Sequence, residues 1–399
     1  MSELNQREKQ VREQVDRLLF EQGVYQPLEM LFTEGRLMYA DYEAWREGDG
    51  AYLEEKLFGS PEQSREMLQL AEAYAIELGL ASELQRYTSW VSGKRTELRF
   101  SSQLEVNRCF QTAYRKSDEM PQLDLLMDSP GTTLANGIIQ ALLNRDVHEA
   151  AQLVEQLHEV DPSHHQLGGF EGLVEAACRA TPLEEPLQEL HYLLQELKPM
   201  AEEILGVSSH PFLVPFWRSL AQALDDMVFD DDYPERHASY ASLQAEDWYQ
   251  LKARIEQEAN WRDHFVLLQR HGLASARLHQ EVDALVSWFM ICWRFPDQAS
   301  SIAAQRGSEW WRGWQCFLDL EPELPDEDFP AWLFIDNPSL AKRFTSEVDM
   351  QELNPPDAFQ LVAELMQAKS EITDAQAIML RKQLQQANQR LFGHYMERF

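Results

Sequence analysis

Apolar residues along this chain recur mostly at spacings of three and four, which is the period of an amphipathic helix. A first helix should end near Gly23, and the residues 60–63, Ser-Pro-Glu-Gln, carry the signals that start another, which should run to about Gly79. The apolar stripe of the first helix consists of Val11, Val15, Leu18 and Leu19. The pattern therefore predicts an all-α fold built from helical hairpins.

Two segments share one plan. Residues 131–164 contain two predicted helices, separated by a polar turn at residues 144–146 and followed by Pro162. Residues 265–298 repeat this plan 134 positions further along. A small residue, Ala150 or Ala284, lies where the paired helices would approach closely, and larger residues four and seven positions later would fill the groove.

This spacing resembles the tetratricopeptide repeat. The positions that pack the helices or close the repeat in that family hold Leu134, Ile138, Ala141, Ala150, Val154, Leu157 and Pro162 in the first segment, and Leu268, Gly272, Ala284, Trp288, Ile291 and Pro296 in the second. Gly137 and His271 depart from the family pattern, because a large apolar residue is expected at both. The resemblance implies an α-solenoid of helical hairpins with an extended concave surface, whereas generic helical pairs are the alternative.

The same signals suggest four regions along the chain. We predict an N-terminal helical domain over residues 1–125 and a repeat region over 126–320. Prolines at 322, 325, 330 and 338 within an acidic string indicate a linker over 321–338. A helical hairpin should complete the chain over 339–399.

Composition narrows the class of protein. Of 399 residues, 44% are hydrophobic, which excludes a disordered chain despite a net charge of −32. That charge disfavours nucleic acid and anionic membranes as partners, and it serves solubility or attraction of a basic partner. The N-terminus is too charged for a signal peptide, and the longest apolar run, residues 284–293, is about half a membrane span. We expect a cytoplasmic protein.

One stretch has the opposite charge, and we call residues 86–116 the basic island. Seven basic side chains against Glu97 and Glu105 give it a charge of +5, and aromatic residues lie between them. Such a surface could bind the carboxylates or phosphate of another protein, or it could neutralise acidic neighbouring helices. From this stretch we predict partner-binding residues Arg86, Trp90, Lys94, Arg95, Arg99 and Arg108.

A tryptophan cluster near residue 310 is the second candidate contact surface. Trp310, Trp311 and Trp314 fall at helical spacing, and they would form either an aromatic groove for a peptide or part of the core. Core packing is the interpretation that we prefer for these tryptophans, so the basic island is the first candidate for the contact surface and the tryptophan cluster is the second.

No motif predicts catalysis, a cofactor or a metal. The sequence lacks glycine-rich phosphate loops, nucleophile elbows and zinc-protease motifs. Its four cysteines are widely spaced, and the histidines at 148, 158, 164 and 165 lack the spacing of a metal site, which favours surface or turn positions. We therefore predict a non-catalytic scaffold or adaptor that binds another protein. An acidic mimic that inhibits a nucleic-acid-binding protein and a helical enzyme of unknown type are the alternatives.

Overall fold

The computed structural model describes residues 3–91, 96–115, 130–179, 185–303, 309–367 and 374–399. Helices dominate these ranges, so the predicted all-α class is confirmed. The chain divides into two compact units. We call residues 1–223 with 244–247 the N-terminal unit, and residues 224–243 with 248–399 the C-terminal unit.

Helices of the N-terminal unit follow the predicted boundaries where start and stop signals are present. The first ends directly before Gly23, whose φ is 72°. The Ser60 hydroxyl caps the fourth by accepting a hydrogen bond of 3.5 Å from the Gln63 amide. In chain order the helices are α1 (Glu3–Gln22), α2 (Pro27–Thr33), α3 (Tyr39–Arg46), α4 (Pro61–Glu77), α5 (Leu104–Gln111), α6 (Pro130–Leu143), α7 (Val147–Val160), α8 (Leu167–Cys178), α9 (Pro186–Tyr192), α10 (Lys198–Leu205) and α11 (Ser209–Ala223).

A small antiparallel sheet lies among these helices, where the sequence analysis predicted helices alone. Its strands are β1 (Val24–Tyr25), β2 (Ala81–Leu84) and β3 (Thr112–Arg115), in the order β1-β3-β2. Each strand has only two or four residues. Such short strands lack the run of alternating apolar residues by which a strand is identified in sequence.

The C-terminal unit is built around an aromatic core. Phe289 is fully buried, and its ring centroid lies 5.2 to 5.6 Å from those of Phe334, Phe344 and Phe359. The helices that follow α11 in the chain are α12 (Ala238–Gln244), α13 (Trp248–Gln257), α14 (Phe265–Arg277), α15 (Glu281–Arg294), α16 (Pro296–Ala303), α17 (Glu309–Leu318), α18 (Phe329–Asp336), α19 (Pro338–Glu347), α20 (Met350–Leu353), α21 (Asp357–Gln367), α22 (Asp374–Ala387) and α23 (Gln389–Arg398).

The two segments with a shared plan are hairpins of the same backbone geometry. Helices α6 and α14 end, and α7 and α15 begin and end, 134 positions apart. Arg145 and His279 occupy the same place in the turn, each with φ of 57°. The next residue donates its amide to a carbonyl of the first helix, over 2.9 Å from Asp146 and over 2.8 Å from Gln280.

Small residues lie where the helices of each hairpin pack together. Ala150 and Ala284 are 0% and 2% exposed. A Cβ atom added at Gly272 would meet the Trp288 ring at 3.0 Å, so a larger residue there would push the ring outward. Both second helices end two residues before the predicted closing proline.

The predicted linker and repeat-region boundaries are wrong. Residues 321–338 include α18, in which every residue from Phe329 to Ile335 is buried in the core of the C-terminal unit. Pro330 and Pro338 lie in the first turns of α18 and α19, where the missing amide hydrogen costs no helical hydrogen bond. The two hairpins of the predicted region 126–320 belong to different units, and residues 339–399 share the core of the C-terminal unit.

Candidate functional site

Residues 86–91 and 96–99 of the basic island, which we call the basic hairpin, are joined by an antiparallel ladder over residues 87–89 and 96–98. The Leu98 amide donates to the Tyr87 carbonyl over 2.8 Å, and the Ser89 amide donates to the Thr96 carbonyl over 2.9 Å. Thr88 lies opposite Glu97. The predicted site residues Lys94 and Arg95, together with Lys116, lie outside the described residues.

Two of the predicted partner-binding arginines, Arg86 and Arg99, follow directly at one end of this ladder. Its register, continued by two residues from Thr88 and Glu97, assigns them to opposite positions on the same face. Both are exposed, and in the described ranges neither forms an ion pair or hydrogen bond with a carboxylate. Like charges directly opposite each other destabilise a strand pair, so an anionic group at this position would relieve the repulsion.

Other arginines of the basic island are paired with acidic residues. Arg108 lies 3.7 Å from Glu72, and Arg115 lies 2.7 Å from Glu83. The two interpretations of the basic island therefore apply to different residues. Neutralisation by neighbouring carboxylates fits Arg108 and Arg115, whereas Arg86 and Arg99 are exposed and have no ion-pair partner among the described residues.

Trp90 lies between structural elements of the N-terminal unit. The guanidinium carbons of Arg46 and Arg145 lie 4.6 and 4.0 Å from the centroid of the Trp90 ring, within the range of cation–π attraction. Arg46 is 5% exposed and donates hydrogen bonds to the Thr88 carbonyl at 2.8 Å and to the Asn144 side chain at 2.8 Å. Trp90 thus fixes the basic hairpin against α3 and the α6–α7 turn.

A buried carboxylate next to this tryptophan was not predicted from the sequence. Glu43, which is 4% exposed, accepts hydrogen bonds from Arg145 and Arg218. Arg218 also lies 3.3 Å from Asp247. Glu43 is 102 and 175 residues from its two partners, so no local sequence signal could reveal the cluster. It joins α3, the α6–α7 turn and α11.

Cys109 is a buried thiol with an acidic neighbour. Its Sγ atom lies 2.7 Å from the Glu72 carboxylate. Burial, together with Glu72, raises the pKa of Cys109 to about 12. The thiol is therefore protonated at neutral pH and donates to Glu72, whereas a nucleophilic cysteine needs a thiolate.

The C-terminal unit contains a row of serine, histidine and glutamate, in which Ser287 and His271 are buried and Glu256 is exposed. His271 Nδ1 lies 2.7 Å from Ser287 Oγ, and His271 Nε2 lies 3.2 Å from Glu256. Burial lowers the pKa of His271. Because Ser287 is 0% exposed and donates to the Asp283 carbonyl, its hydroxyl cannot meet a substrate from solvent. We interpret the row as packing between α13, α14 and α15, which gives the enzyme alternative no support.

Of the three residues in the tryptophan cluster, Trp314 is the one whose side chain the structure describes. Trp314 is 3% exposed, and its ring packs edge-on against Phe329 with centroids 4.8 Å apart. It therefore occupies the core position that the sequence analysis left open and is not accessible to a peptide. The side chains of Trp310 and Trp311, on the first turn of α17, are outside the described part of the structure.

Across the described ranges, no three histidine, cysteine, aspartate or glutamate side chains lie together in a way that could hold a metal ion. Among the described helices, none combines the length and apolar character needed to cross a bilayer. Comparison with protein-family models, curated proteins and solved structures gave no match for this chain.

Proposed function

We propose that this chain is a non-catalytic protein-interaction module of the tetratricopeptide-like helical-repeat kind, which binds an acidic segment of another protein at the basic hairpin. The observation that carries the proposal is the pair Arg86 and Arg99, exposed on one face and without a carboxylate partner in the described structure. Arginine forms charge-assisted and often bidentate hydrogen bonds with carboxylates, which are among the strongest polar contacts at interfaces.

Apolar side chains close to these arginines in sequence would add contact area. Leu84 is 58% exposed and Val91 is 46% exposed. An acidic segment that also carries apolar residues would bury both kinds of group at once. Charge alone contributes little at an exposed site, so this combination is the chemistry that we assign to the partner.

The net charge of −32 opposes an acidic partner at long range. Salt screens this repulsion over about 10 Å at an ionic strength of 0.1 M. At contact the partner's carboxylates would then experience mainly the two nearby guanidinium groups. The equal backbone geometry of the two hairpins supports the repeat part of the proposal, since stacked hairpins of this type present extended binding surfaces.

The proposal is tested with a defined peptide. We would measure, by fluorescence anisotropy, the affinity of the full chain for a labelled ten-residue peptide of alternating Glu and Val. The double variant Arg86→Gln with Arg99→Gln should weaken binding roughly tenfold or more, because two charge-assisted contacts are lost. A peptide with Gln in place of Glu should bind as weakly to the unchanged protein.

A matched control removes the same charge elsewhere. Arg17 and Arg390 are exposed and lie outside the basic island. The double variant Arg17→Gln with Arg390→Gln should retain affinity within about twofold. Equal losses in both double variants, or no preference for Glu over Gln in the peptide, would show that the basic hairpin is not the contact surface.

A further inference from the structure

The strand β2 is an edge strand with an open side. In the order β1-β3-β2, it pairs only with β3 among the described residues. Ser82, Glu83 and Leu84 are exposed, and Leu84 is 58% exposed. An exposed edge presents backbone donors and acceptors to any extended chain that approaches it.

The register shows which backbone groups face the open side. The Gln85 amide donates to the Gln111 carbonyl over 2.7 Å, which makes this pair a hydrogen-bonded one. Hydrogen-bonded and non-bonded pairs alternate along an antiparallel ladder. Glu83 is therefore also directed at β3, whereas the amides and carbonyls of Ser82 and Leu84 point away from it. No hydrogen bond to Ser82 or Leu84 occurs in the described structure.

We propose that a partner's acidic segment docks on β2 as an additional strand. This inference rests on the proposed function and specifies how the partner binds. Ser82 and Leu84 would supply backbone hydrogen bonds on the open side, and Arg86, two residues further along, would meet a carboxylate of the added strand. Main-chain pairing of this kind gives affinity, while side chains on alternate positions give specificity.

Charge favours an acidic partner segment over the other occupants. The carboxylate of Glu83, the one acidic residue of β2, is paired with Arg115 at 2.7 Å. Among the described residues, the unpaired charge nearest the open side in sequence is Arg86. A second copy of this chain would bring two Arg86 side chains and two net charges of −32 together, which opposes pairing of β2 with itself.

Backbone methylation of the peptide tests the added strand. Two versions of the ten-residue Glu and Val peptide would carry N-methyl groups at odd or at even positions, so that each blocks the donors on one side of an extended strand. We expect one version to lose at least tenfold in affinity and the other to bind within about threefold of the unmethylated peptide. Equal affinity of both versions for the protein would overturn the inference.

A second variant tests the protein side. In Leu84→Pro, the amide that faces the open side is removed, while no hydrogen bond to β3 is lost. This variant should lose at least tenfold in peptide affinity with an unchanged melting temperature. If it does not fold, the two methylated peptides still decide the question.

The outcomes separate the two proposals. Sensitivity to the Arg86 and Arg99 variants without any effect of methylation would overturn the added strand and leave the proposed function standing. Insensitivity to both would overturn both. A dimer in sedimentation experiments that dissociates on Leu84→Pro, with no peptide binding, would show that β2 pairs with a second copy and would equally overturn the inference.

Discussion

Helices α7 and α15 share one backbone geometry but have different surroundings. α7 buries only Ala150, Val154 and Leu157, so it has a single apolar stripe. α15 buries nine of its residues, because α16 and α18 also pack against it. One hairpin geometry therefore suits both a helix with a solvated face and a helix at the centre of a core. The residues on the outer face of the second helix decide which of the two is formed.

The largest expected effect comes from the position that differs most between the two helices. Phe289 is 0% exposed, whereas the corresponding residue of α7, Glu155, is exposed. Phe289→Ala should lower the free energy of unfolding of the C-terminal unit by about 3 to 5 kcal/mol, because it leaves a cavity among three phenylalanine rings. Glu155→Ala should change the stability of the N-terminal unit by less than about 0.5 kcal/mol.

Hydrogen exchange of the peptides that cover α15 and α7 would measure the two effects separately. Melting curves of the whole chain would combine both units and are less informative. Similar losses of protection for the two substitutions would mean that α7 and α15 are buried to the same extent, and the contrast between the hairpins would then be wrong.

Local features were predictable from sequence, and contacts between distant segments were not. The end of α1, the Ser60 cap and the hairpin turns follow from residues within a few positions of each other. The Glu43 cluster and the burial of residues 329–335 depend on partners far away in the chain. Within 321–338, the apolar run from Phe329 to Ile335 indicates a buried helix, and a proline in the first turn of a helix is compatible with it.

In the candidate site, too, the local feature was predictable from the sequence and the contacts between distant segments were not. Arg86 and Arg99 were identified from the sequence because seven basic residues cluster within residues 86–116 of an otherwise acidic chain. The ladder that sets them opposite each other was not predicted, since the strands were missed. Nor could composition distinguish these arginines from Arg108 and Arg115, whose acidic partners lie on other elements.

The two units also contain titratable groups, one half-buried and one buried, that respond to pH in opposite directions. In the N-terminal unit, burial and to a smaller extent Glu246 raise the pKa of Glu29 to about 7. In the C-terminal unit, burial, with contributions from Arg270 and Arg254, lowers the pKa of His237 to about 4. Folding therefore favours the neutral form of both side chains, which is the protonated acid in one and the unprotonated base in the other.

Lowering the pH from 7 to 5 should then stabilise the N-terminal unit and destabilise the C-terminal unit. Glu29 binds a proton more readily when folded, so its contribution to stability grows as pH falls from 7 toward 4.5. The contribution of His237 is complete above pH 6.5 and is lost as pH falls toward 4. Each contribution should change by about 1 to 2 kcal/mol over this interval, since one pKa unit corresponds to about 1.4 kcal/mol and Glu29 is only half-buried.

Hydrogen exchange at several pH values, corrected for intrinsic rates, would measure this for each unit. Glu29→Gln should flatten the pH response of the N-terminal unit alone, and His237→Gln should flatten that of the C-terminal unit alone, so that each variant is the control for the other. If the variants leave both responses unchanged, or if both units respond in the same direction, then Glu29 and His237 do not give the two units opposite pH dependences.

The smallest expected effect concerns the N-caps of the two second helices, which differ in one side chain. The capping residues Asp146 and Gln280 have nearly the same backbone angles, φ −90° and ψ 76° against φ −92° and ψ 71°. The Asp146 carboxylate accepts a hydrogen bond of 3.0 Å from the Glu149 amide, whereas the Gln280 side chain makes no cap and instead accepts from Lys252 at 2.6 Å.

Asp146→Ala should cost about 1 kcal/mol, and Gln280→Asp should stabilise α15 by about 0.5 to 1 kcal/mol while keeping an acceptor near Lys252. Hydrogen exchange in the first turns of α7 and α15 would detect both changes. If Gln280→Asp gave no increase in protection, backbone geometry alone would not make the two turns interchangeable, and the equivalence of the hairpins would be limited to their main chain.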